Sequence, residues 1–106
     1  MRSYKIKMFS EKQLTEIKAL LKPENKIVII SHYNPDGDAI GSTLGLKHYL
    51  KTKGLEADTI VPNDFPKFLK WMPEAKKITI ADYKRKKAFE LIENADVIFI
   101  LDFNAT

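Results

Sequence analysis

The unbroken run Val97-Ile98-Phe99-Ile100-Leu101 constrains this chain most. Consecutive apolar residues of β-branched and aromatic type fit a strand covered on both faces, because a solvated face would demand alternation with polar residues. Ile27 to Ser31 carries the same pattern. Two strands of this kind need helices on either side of a sheet, and the intervening chain supplies them.

Ala39 to Lys53 reads as a helix that Gly54 terminates, with Lys51 and Lys53 near the negative end of its dipole. Gly41 and Gly45 lie four apart on it, a spacing that would let it approach the sheet or a ligand closely. Glu56 to Val61 is a strand closed by Pro62, and Lys77 to Ile80 a weaker one. Tyr83 to Asn94 is a helix with Ala88, Phe89, Leu91 and Ile92 inward. Between Pro62 and Pro73 the sequence predicts a short helix and an apolar cover, with Trp71 as packing rather than a base-stacking surface. Upstream, Ser10-Glu11-Lys12-Gln13 has the form of a capping box with Phe9 and Leu14 as its staple. Leu14, Ile17, Leu20 and Leu21 continue at helical spacing to Pro23, so residues 1–25 are expected to be a helical segment packed on the domain.

Strands and helices thus alternate along the chain. The expected fold is α/β: a parallel, doubly wound, Rossmann-like sheet of about four strands with helices on both faces. Ligands of such sheets bind beyond the carboxyl ends of the strands.

At 106 residues the chain is one domain's worth of material, near the lower edge for an α/β enzyme. It has no apolar run long enough to span a membrane, so no membrane partner is expected. The basic N-terminus lacks the apolar core of a secretory signal. Cysteine is absent, which removes disulfides, thiolate metal sites and cysteine nucleophiles, and fits a cytoplasmic location. A net charge of +4 mildly favours anionic partners. The run Lys84-Arg85-Lys86-Lys87 reads as a solvated helix start in preference to a nucleic-acid patch.

The chemistry sits where the first long strand ends. His32-Tyr33-Asn34-Pro35-Asp36-Gly37-Asp38 places one imidazole and two carboxylates in a loop that Pro35 and Gly37 are expected to turn tightly. Clustered carboxylates ask for a cation, and imidazole with carboxylate oxygens suits a divalent ion such as Mn²⁺. An EF-hand is excluded. With Gly37 at its sixth position, Thr43 falls where a bidentate Glu belongs, and the loop follows a strand. Asp38 also reads as a helix cap before Ala39-Ile40. Ser42 and Thr43 are candidates for a phosphate contact at the helix start, whereas His48, midway along, reads as packing or surface. Asp102 follows the second long strand without a turn signal. Alone it would simply open a loop. Beside a His/Asp/Asp loop on the same sheet edge, a shared metal site is the better reading, and one carboxylate can bridge two ions that clamp a phosphoryl group.

His32-Tyr33-Asn34-Pro35-Asp36-Gly37-Asp38-Ala39-Ile40-Gly41-Ser42 resembles the first motif of the DHH phosphoesterase family, His-x-x-Pro-Asp-x-Asp-x-x-Gly-Ser. The apolar strand ending at Asp102 resembles its second. The likeness covers roughly residues 26–106 and is nearest to the branch of oligoribonuclease/pAp phosphatases and cyclic-dinucleotide hydrolases. RecJ-type exonucleases are more distant. The resemblance implies a hydrolase using two Mn²⁺ ions, with Mg²⁺ as the alternative. His32 and Asp36 would bind one ion, Asp38 the other, and Asp102 would bridge them, making Asp38 and Asp102 the catalytic pair. Hydroxide would attack the phosphorus of short single-stranded RNA or DNA, or of 3′-phosphoadenosine 5′-phosphate.

The family's Asp-His-His motif, a further Asp ligand and the C-terminal substrate-binding domain are absent from this sequence. Residues 26–106 are therefore expected to be the N-terminal part of a longer phosphoesterase domain, inactive alone. Two other readings stand beside this one: a non-catalytic module binding metal or nucleotide, and a structural fragment without activity. An exposed sheet edge would favour self-association into a homo-oligomer.

Overall fold

The two apolar runs become neighbouring central strands. In the computed structural model, which describes residues 2–5, 11–32 and 35–101, the elements follow in the order β1 (Arg2–Lys5), α1 (Glu11–Leu20), β2 (Ile27–Ser31), α2 (Gly37–Thr52), β3 (Ala57–Val61), β4 (Thr79–Ile80), α3 (Arg85–Glu93) and β5 (Val97–Leu101). The sheet order is β1-β5-β2-β3-β4 and every pairing is parallel. The sheet holds the roughly four strands expected and one more. The additional one, β1, precedes α1 in the segment expected to be helical and lies beside β5. Four residues with no long apolar run give little sequence signal for a strand at a sheet edge. The capping residue Ser10 lies outside the described residues.

Helices cover both faces. Ile27 and Ile29 of β2, with Val97, Phe99 and Leu101 of β5, pack against Leu50 and Leu46 of α2 and Leu20 of α1. On the opposite face, Val28, Ile60 and Ile98 pack against Ala88, Leu91 and Ile92 of α3. This two-sided burial is why β2 and β5 read as unbroken apolar runs. At their amino ends the two strands are tied together. The Lys26 amide donates to Asp96 Oδ2 at 2.7 Å, and the Lys26 carbonyl accepts from the Asp96 and Val97 amides.

Helix α2 ends as expected. Gly54 takes φ +77°, its amide donates to the Lys51 carbonyl, and the Leu55 amide donates to the Leu50 carbonyl. This paired closure needs a left-handed residue, which glycine adopts without steric cost. The other glycine expectations are corrected. Gly37 is the first helical residue and has no positive φ. A methyl on Gly41 would sit at ordinary contact, 3.9 Å from Met72 Cε, and one on Gly45 would meet open space. Neither glycine is required for close approach to the sheet.

Between β3 and β4, residues 62–78 wrap over α2 with two short 3₁₀ turns, Lys67–Leu69 and Ala75–Lys77. Phe65, Leu69, Ala75 and Ile78 bury themselves against Ile40 and Leu44 of α2 and Val61 of β3. The apolar cover is therefore real, but Trp71 is no part of its packing: it is 77 % exposed, and Phe68 70 %. Phe89 is likewise 64 % exposed rather than inward, since Ala88, Leu91 and Ile92 already fill the α3 seam.

Candidate active site at the carboxyl edge of the sheet

Strands β2 and β5 run side by side, with Ser31 level with Leu101. The chain leaves β2 through α2 toward β3 on one side, and reaches β5 through α3 on the other face. Such a reversal of strand order opens a crevice at the carboxyl ends, the usual ligand position in open α/β sheets. His32 follows β2 directly and is half-buried. Asp102 is the next residue after β5 in sequence and lies outside the described residues, as do Tyr33 and Asn34.

Asp36 is the N-cap of α2. Its Oδ1 accepts from the Ala39 amide at 2.9 Å, and its own carbonyl accepts from the Ile40 amide. The capping role expected of Asp38 therefore belongs to Asp36, two residues earlier, because the helix already begins at Gly37. Asp38 lies in the first turn, exposed, where the helix dipole favours a carboxylate. Pro35, directly before the cap, is buried. Among the described residues, no hydrogen bond engages Asp36 Oδ2 or the Asp38 carboxylate.

Ser42 is exposed in the second turn of α2. Thr43 is buried and donates to the Ala39 carbonyl at 2.7 Å, so it has no role toward a phosphate. Ser31 Oγ, at the strand end beside His32, is buried and has no hydrogen-bond partner among the described residues. His48 is exposed on α2, on a groove of about 400 Å³ bounded by Gly41, Gly45, Met72 and Pro73.

A second polar cluster lies past the end of β3, and the sequence reading missed it. Asp64 Oδ1 accepts from the Phe65 amide at 2.8 Å and from Lys70 Nζ at 2.7 Å, while Oδ2 accepts from Tyr83 Oη at 3.1 Å. The Lys70 bond is the main reason the Asp64 carboxyl titrates below its ordinary range, and Asp64 in turn raises the Tyr83 phenol. Lys70 Nζ also sits 4.4 Å from the Phe65 ring centroid. The available signal was Asn63-Asp64 at the end of a strand, the same chemistry as the β2 loop. Further along, Glu74 gathers Lys77, Lys47 and Lys51 at 3.2, 3.7 and 3.8 Å, fastening the segment to α2.

Imidazole and carboxylate oxygens are the donor types a hard or borderline divalent ion takes. Among the described residues, however, no three His, Asp or Glu side chains come together in a group that could hold a metal. What stands at the β2 end is thus a partial donor set.

The parallel sheet with helices on both faces and carboxylates past β2 defines an open α/β domain that takes ligands at its carboxyl edge. Within that class the family is clear. Residues 26–106 match the model of the DHH family, N-terminal domain, and the chain belongs to that family. It is 44 % identical over 64 residues to the bifunctional oligoribonuclease and PAP phosphatase NrnA of Thermus thermophilus, covering 60 % of this chain and 19 % of that protein. The fold matches the crystal structure of an exopolyphosphatase-related protein from Bacteroides fragilis with a TM-score of 0.83 and 48 % identity, over 91 % of this chain and 28 % of that one. This chain therefore spans less than a third of the length of either relative.

Proposed function

We propose that this chain is the N-terminal part of a Mn²⁺-dependent phosphodiesterase and phosphatase acting on short oligonucleotides and on 3′-phosphoadenosine 5′-phosphate. The observation that carries the reading is the pair Asp36 and Asp38 at the head of α2, with carboxylate oxygens unengaged among the described residues, in a chain of the DHH family. The NrnA relative supports the substrate class.

His32 and Asp36 would hold one divalent ion, Asp38 a second, and Asp102 would bridge the two. Such a pair supplies a nucleophile at neutral pH and neutralises charge on the phosphoryl oxygens. The chain's own residues do the positioning. The cap bond to Ala39 fixes Asp36 Oδ1 and leaves Oδ2 for a ligand. Pro35 is buried directly before the cap, and exposed Ser42 offers a hydroxyl one turn further along α2. One imidazole and three carboxylates are few donors for two ions, so on this reading further ligands complete the set.

The alternative reading is a module that binds metal or nucleotide without turnover. Hydrolysis of a short oligoribonucleotide and of 3′-phosphoadenosine 5′-phosphate by the full-length protein separates the two. The phosphoesterase reading expects Mn²⁺-dependent turnover that Asp102→Ala abolishes with the fold intact. Full activity in that variant would refute the metal assignment.

A further inference from the structure

Phe68 and Trp71 stand out on the surface at 70 % and 77 % exposure, and neither has a part in the metal site just described. Their neighbours face the other way. Leu69 is buried against Ile40 and Leu44, and Met72 packs on the same cluster. A methyl built on Gly37 would lie 3.9 Å from Leu69 Cδ2, and one on Gly41 3.9 Å from Met72 Cε. The stretch 68–72 is therefore pressed onto the first turns of α2, the helix headed by Asp36 and Asp38, with its two aromatic rings left on the solvent side.

Cationic residues neighbour the pair along the chain. Lys67 is exposed next to Phe68, and Lys70, through Asp64, is tied to Tyr83. Directly after Tyr83 comes the exposed run Lys84-Arg85-Lys86-Lys87. It opens α3 without a side-chain cap, setting positive charge against the positive end of the helix dipole. That arrangement costs stability unless an anion offsets it.

Exposed aromatic rings beside lysines are the surface single-stranded nucleic acids use. Bases stack on the rings regardless of sequence, and the cations draw the phosphates. We propose that Phe68 and Trp71 form a stacking platform for a nucleobase of the substrate whose phosphate is held at the head of α2, beside Asp36 and Asp38. The inference rests on the phosphoesterase reading, because that reading supplies the phosphate site beside the platform.

Trp71 is the only tryptophan in the chain, so its fluorescence reports on the platform directly. Adenosine 5′-monophosphate and ribose 5-phosphate are titrated in parallel, with excitation beyond the adenine absorption band. The platform predicts saturable quenching by the nucleotide and none by the sugar phosphate. It also predicts about tenfold weaker nucleotide binding in Phe68→Ala and near-native binding in Phe68→Tyr. Absent quenching, equal quenching by the sugar phosphate, or unchanged affinity in Phe68→Ala would overturn it. So would an emission shift that follows protein concentration without nucleotide, which would assign the rings to contact between copies of this chain. Mn²⁺ binding is titrated separately in nucleotide-free buffer. A chain that binds Mn²⁺ without quenching defeats the platform alone, and one that quenches without binding Mn²⁺ defeats the metal site alone.

Discussion

The ends of β2 and β3 lie on the same edge of one sheet, and each is followed by a carboxylate, yet the two carboxylates are treated in opposite ways. Asp64, after β3, has both oxygens occupied, by a backbone amide, an ammonium and a phenol. Asp36, after β2, gives one oxygen to its helix cap, and Asp38 beside it has no hydrogen bond among the described residues. A fully satisfied carboxylate holds chain segments together. One that folding leaves half-satisfied at a strand end is available to a ligand.

Substitution at Asp36 puts the sharpest strain on that contrast, because this residue does both jobs. Asp36→Asn preserves a good cap, so stability in urea should stay within a few tenths of a kcal/mol. Hydrolysis by the full-length protein should nevertheless fall roughly a hundredfold, since a neutral amide is a poor ligand for a divalent ion. Asp36→Ala should lose activity to a similar degree and about 1 kcal/mol of stability as well. Equal activity in wild type and Asp36→Asn would reduce Asp36 to a cap.

At Asp64 the effects should be smaller and purely structural. Its ion pair with Lys70 is partly solvated, with side-chain exposures of 38 % and 35 %, so Asp64→Asn should cost less than about 1 kcal/mol. Its pH signature has a definite sign. The Lys70 bond holds the folded-state pKa below the ordinary 3.8, so the contribution is complete above that value. It is lost as pH falls through the depressed value. Stability measured against pH should therefore show a shallower acid limb in Asp64→Asn than in wild type. Identical limbs would remove Asp64 from the account.

Much of this was legible beforehand, for identifiable reasons. β2 and β5 announce themselves because burial on two faces leaves only apolar residues along them. The His32–Ser42 stretch is legible because its residues follow a family motif position by position, and the family model matches across it. β1 escaped because an edge strand carries no such signature. Trp71 misled because its partners Leu69 and Met72 do the packing that a large apolar residue suggests for itself. The Asp64–Lys70–Tyr83 cluster joins residues 19 apart in sequence through a turn whose path no local pattern gives. Helix capping shifted by two residues for a simpler reason: Gly37 and Asp38 both accept helical geometry, so the helix extends back to the first side chain that can close it.

The central claim is that the carboxylates after β2 are left open for a divalent cation. Mn²⁺ titration of this chain, followed by the electron paramagnetic resonance signal of the free ion, tests it most directly, with Asp38→Asn and Asp64→Asn compared side by side. Saturable binding that weakens about tenfold or more in Asp38→Asn and stays unchanged in Asp64→Asn is the predicted result. Binding indifferent to Asp38, or weakened as much by loss of Asp64, would contradict it.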